Sequence, residues 1–203
     1  MKKTLWVLVI LALAFSGYWF IFKAKNKGAE EPKVAALTVS KHSGSFNKGI
    51  DSLVLAYLEL TSAFVETDSI KAKAAAEKLI LMADTAKLSD LKKDTSGIFE
   101  SAGIQMNDIK ANAESLVKQP NITEMRQDFR MVSESLYPLL KTVGYEGNIL
   151  YWQNCPMAFG ENNGASWLSM TREIVNPYMG KKNPEYKSGM LHCGEIKDSI
   201  IAH

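Results

Sequence analysis

Between residues 50 and 140 the apolar positions recur at helical spacing. Ile50, Leu53, Val54, Tyr57, Leu58, Thr61, Phe64 and Val65 fall at i, i+3, i+4 and i+7 intervals and mark one wide stripe. Asp68-Ser69 supplies an N-cap, after which Ala72, Ala75, Ala76, Leu79, Ile80 and Ala83 form a small-residue stripe that permits close helix approach. Between Lys87 and Gly103 the pattern weakens; Ser89 can cap a short helix carrying Leu91, Ile98 and Phe99. Met106, Ile109, Ala113, Leu116 and Val117 then predict a third major helix, stopped by Pro120. Asn121 caps a fourth, whose apolar face is Ile122, Met125, Phe129, Val132, Leu136, Leu139 and Leu140, with a kink or late break expected at Pro138. Four amphipathic helices joined by short connections predict an all-α, four-helix-bundle-like body.

Beyond Gly144 aromatics, Asn, Gly and Pro replace the periodic aliphatics. Ile149 to Trp152 and Ile174-Val175 are candidate short strands, and Asn162-Asn163-Gly164 and Gly180 to Pro184 are turn-rich. The segment is too small to fold alone, so an irregular C-terminal cap packed on one end of the bundle is expected. Its aromatics Tyr151, Trp152, Trp167 and Tyr178 read as the core of that cap.

The other end of the chain sets the compartment. After Met1-Lys2-Lys3, residues 4–22 run for nineteen positions without a charge, enough for a helix of roughly 28 Å, close to a hydrocarbon core. Cleavage as a signal peptide after Ala14-Phe15-Ser16 would give a secreted or periplasmic protein, but would leave Tyr18 to Phe22 on a water-soluble chain. Tyr18, Trp19 and the following Lys23, Lys25 and Lys27 instead suit the interfacial end of a span. The reading is therefore a signal-anchor (1–23), a linker (24–48) and a bundle with its cap (49–203). The formal charge of +2 conceals an asymmetry. Residues 1–33 hold six Lys and two Glu, leaving 18 basic and 20 acidic side chains on the body. A mildly acidic body lacks the electrostatic footprint of a nucleic-acid binder.

Catalytic patterns are missing: the sequence has no GxSxG, HExxH, P-loop or dinucleotide fingerprint. A non-enzymatic protein is expected. Soft donors, by contrast, cluster. The two cysteines each sit near a methionine, in Cys155-Pro156-Met157 and in Met190-Leu191-His192-Cys193. In an extended run Cys155 and Met157 share a face, and in a helical turn Met190 and Cys193 do; were the latter extended, Met190 and His192 would pair instead. Thiolate and thioether together select Cu(I) over hard cations. The competing reading is a Cys155–Cys193 disulfide worth about 4 kcal/mol by loop entropy, usual for an even pair in an exported protein. Composition alone favours the disulfide.

The order of short motifs, CPMA (155–158), GASWLS (164–169), EIVNPYMG (173–180) and MLHCGE (190–195), resembles the bacterial domain-of-unknown-function 3347 family. Arg126-x-x-Phe129-x-x-x-Ser133 is similar to that family's pattern on the preceding helix, and the resemblance spans about residues 50–200. It implies an exported protein, here anchored in the inner membrane and facing the periplasm. It also implies an association with heavy-metal handling, because such domains occur attached to adaptors of copper and silver efflux pumps. A copper/silver efflux system is thus the expected partner, and Cu(I) the expected ion, on Cys155, Met157, Met190, His192 and Cys193. Asn183 to Gly189 departs from the pattern as an insertion that could alter how Met190 approaches Cys155.

Overall fold

The computed structural model describes residues 42–201. The proposed membrane segment and most of the linker lie outside these residues, and no helix among the described residues is long and apolar enough to cross a membrane.

Four helices build the body: α1 (Gly44–Val65), α2 (Ser69–Thr85), α3 (Ile98–Lys118) and α4 (Ile122–Thr142). Each packs against the next in sequence, and α1 closes on α4 through Phe64 and Phe129, whose ring centroids are 4.8 Å apart. The caps follow the sequence at two of the helices. Asp68 accepts from the Lys71 amide to start α2, and Asn121 accepts from the Thr123 and Glu124 amides to start α4. Two boundaries differ from expectation. Helix α1 begins at Gly44, inside the stretch read as linker, because the Ser43 hydroxyl caps it by accepting from the Phe46 amide. The weak stretch after Lys87 is not a capped α-turn. Leu88–Lys93 forms a 3₁₀ helix with Ser89 inside it, and α3 starts afresh at Ile98 after Gly97, whose φ is +83°. Helix α4 runs on through Pro138 for only one further turn.

The four-helix body is as expected, but the all-α class with an irregular cap is corrected by a three-stranded antiparallel sheet, whose first strand takes in most of the candidate strand Ile149 to Trp152. Its strands are β1 (Leu150–Cys155), β2 (Ala165–Ser169) and β3 (Glu195–Ile200), in the order β2-β1-β3. Ile174-Val175, proposed as a strand, lies in none of them. One face of the sheet, with Trp152 and Asp198, lies on α4. Tyr137 stacks on Trp152 at 4.4 Å and donates its hydroxyl proton to Asp198, to which Lys141 also donates at 2.9 Å. Edge strand β2 is tied to the bundle through its free backbone. The Leu168 amide donates to the Tyr57 hydroxyl at 3.0 Å, the Tyr57 hydroxyl donates to Ser133 Oγ, and Ser133 donates to the Phe129 carbonyl. A chain with one proton per link leaves none of these buried groups unpaired. Of the four aromatics expected in the core of the cap, Trp167 and Tyr178 are buried, whereas Tyr151 and Trp152 are only partly so.

Candidate metal centre

The carboxyl end of β1 and the amino end of β3 bring the two cysteines together. Asn154 pairs with Glu195 across these strands, so Cys155, the last residue of β1, and Cys193, two residues before β3, lie at the same end of the sheet. Burial first, and then the neighbouring Cys155 side chain, pushes the Cys193 thiol up to about 12. Cys155 is fully buried, Cys193 is half-buried, and both are free thiols.

The methionines and the histidine are placed differently. Residues Met190 to Cys193 form a turn in which the Cys193 amide donates to the Met190 carbonyl at 3.0 Å. Of the two conformations open to this stretch, the chain adopts the helical-turn type, and Met190 is half-buried beside the core. Residues 183–189, the insertion, close on themselves, the Asn183 side chain accepting from the Glu185 and Tyr186 amides. Met157 departs from expectation. The extended run stops at Cys155 and the chain turns, the Gly160 amide donating to the Met157 carbonyl, so Met157 is 40% exposed while Cys155 is sealed. Strand alternation cannot carry past the end of the strand. His192 is exposed, and its Nδ1 lies 2.7 Å from the Ile174 carbonyl. A carbonyl only accepts, so Nδ1 donates there and Nε2 is the nitrogen left outside this bond. Among the described residues there is no group of three or more His, Cys, Asp or Glu suited to a metal, so the available anionic donors are the two thiols.

Three residues that the sequence reading gave no role shape this end of the sheet. Gly194, at φ +145°, approaches so closely that a Cβ there would lie 2.9 Å from the Asn154 carbonyl oxygen and 3.1 Å from Trp167. Only glycine lets the chain pass from Cys193 into β3 at this distance. Asn176 is fully buried, with its side chain donating to the Cys193 carbonyl and accepting from the Tyr178 and Met179 amides. Its position before Pro177 is the legible signal, since Asn-Pro favours a turn. Gln153, on β1 two residues before Cys155, donates to the Thr171 and Glu173 carbonyls and leaves its Oε1 buried without a partner.

Arg126, first residue of the pattern on α4, reaches the same segment from the bundle. It is 4% exposed and donates to the carbonyls of Pro177 (3.0 Å), Phe64 (3.2 Å) and Met179 (3.5 Å), and to Thr67 Oγ1 (3.5 Å). Burial pushes its pKa down to about 10, which still leaves it charged near neutrality. Its role is to join α1, α4 and the cap.

A family model described as "Protein of unknown function (DUF3347)" matches residues 53–147. Those residues belong to the DUF3347 family. The match covers α2, α3, α4 and most of α1, and ends before β1. The CPMA and MLHCGE motifs therefore lie outside the matched stretch, whereas Arg126, Phe129 and Ser133 lie inside it. No curated protein and no solved structure matches the chain. The DUF3347 stretch supplies the bundle face on which the thiol-bearing cap is seated.

Proposed function

We propose that this is an exported, membrane-tethered protein that binds a soft heavy metal, Cu(I) foremost, through Cys155 and Cys193, in copper tolerance or efflux and without catalysis. The observation that carries the reading is the delivery of two free thiols by separate segments to one end of the sheet. Two thiolates give a low-charge, polarizable donor set matched to a monovalent d¹⁰ ion, whereas zinc ordinarily takes four N, S or O ligands. Met190 opens the turn that ends at Cys193 and is half-buried beside the core, which makes it the thioether candidate. His192 Nε2 is the available nitrogen, and Met157 stands outside the set because of its turn. A second reading draws on the same two thiols: oxidation would close a Cys155–Cys193 disulfide and make the protein a metal-free interaction module with a stapled cap.

Competition against a Cu(I) chelator under reducing conditions tests the proposal. Cys155→Ser and Cys193→Ser should each lose at least about a hundredfold in affinity, since each removes one of two anionic donors. Met157→Leu should stay within about threefold of the unmodified protein, because a conservative apolar swap at an exposed turn removes no donor. Equally poor competition by the unmodified protein and both serine variants would leave the stapled module as the function.

A further inference from the structure

We infer that Asn176 is the positioning residue of the thiol pair, the group that holds the Cys193 turn against the end of β1. The inference rests on the reading of Cys155 and Cys193 as the working site, and it applies whether their product is a metal complex or a disulfide.

Residues 171–194 contain turns rather than strand or helix, so Cys193 is not placed by a sheet ladder. Asn176 grips its turn twice. The Asn176 amide donates to the Leu191 carbonyl at 2.7 Å, and its side-chain Nδ2 donates to the Cys193 carbonyl at 2.9 Å. The other side-chain atom faces the opposite way, Oδ1 accepting from the amides of Tyr178 (2.9 Å) and Met179 (3.2 Å). That second leg is itself fixed to the body. The Tyr178 hydroxyl donates to the Ser166 carbonyl on β2, and Arg126 binds the carbonyls of Pro177 and Met179. A fully buried asparagine with three side-chain bonds and one backbone bond transmits the rigidity of the bundle to the turn that carries Cys193. Rigid placement raises the effective concentration of one thiol at the other, because less chain entropy is lost when they are joined.

The readout is the equilibrium of the pair with oxidised glutathione. In that exchange an S–S bond forms between Cys155 and Cys193, the S–S bond of glutathione disulfide breaks, and both thiol protons end on two glutathione molecules. Two variants separate the legs of the amide. Asn176→Asp keeps an acceptor for Tyr178 and Met179 but loses the donor to Cys193; Asn176→Ala loses both. Each should lower the effective concentration of the pair at least about tenfold, a potential shift of about 30 mV toward easier reduction. Asn183→Ala, which removes a similar turn-capping side chain in the neighbouring loop, should leave the equilibrium unchanged. Thermal melting of each variant accompanies the measurement. An unchanged equilibrium in Asn176→Asp and Asn176→Ala would overturn the inference, as would loss of the folded state in both, which would make Asn176 a packing residue only. The metal reading fails separately: the unmodified protein would then show no Cu(I) binding while the glutathione equilibrium still shifted with Asn176.

Discussion

Cu(I) affinity of the reduced protein should rise at least about a hundredfold from about pH 6 to about pH 8. Burial, and secondarily the neighbouring Cys155 side chain, hold the Cys193 thiol far above neutrality, so it keeps its proton across this whole range. The metal binds the thiolate, so the complex carries at least one proton fewer than the free protein. The sign follows directly: raising the pH favours the state with fewer protons, and each proton released contributes about tenfold per pH unit. Any proton also released from Cys155 would steepen the slope. Competition titrations at several pH values, corrected for the chelator's own protonation, measure it. A slope below one proton would mean that Cys193 does not bind as the thiolate.

Replacing Arg126 by Ala should destabilise the folded domain by about 2–4 kcal/mol. The guanidinium saturates the carbonyls of Phe64 and Pro177 and touches Thr67 and Met179 in a site almost closed to water. Each acceptor left buried and unpaired costs about 1–3 kcal/mol, and removal of a desolvated charge offsets part of that total. For a domain of this size the melting temperature should fall by about 5–15 °C. Lys should not restore it, since one ammonium cannot spread donors as the planar fork does. The cap should also become the first segment cut by protease, because Arg126 is what grips residues 177–179. A melting temperature within about 2 °C of the unmodified protein would show that the bonds to these carbonyls contribute little.

The helices were legible where local chemistry and tertiary packing agree. Asp68 and Asn121 cap as their side chains dictate, and the stripe from Ile50 to Phe64 is the buried face of α1. The start of α1 was hidden because Ser43-Gly44-Ser45 has the composition of a linker: its cap is local, but its contacts with Asp90 and Val143 through Ser43 and His42 depend on distant residues. The sheet was largely hidden too. Its strands are five or six residues long, and β3 pairs with β1 across some forty residues, beyond the reach of a local pattern. At the site, the two thiols could be paired from chemistry alone, and the turn at Met190 was one of two conformations foreseen. The alternation that put Met157 on the face of Cys155 needs an extended run, and the strand ends at Cys155. Asn176 and Gly194 act through contacts between segments far apart in the chain, which no spacing rule encodes.

The most direct test is copper K-edge X-ray absorption on the reduced protein after anaerobic loading with one equivalent of Cu(I). The account predicts a first shell dominated by sulfur, at low coordination number, that disappears when Cys155 and Cys193 are both replaced by Ser. A shell of nitrogen and oxygen, or the same spectrum from that double variant, would contradict it.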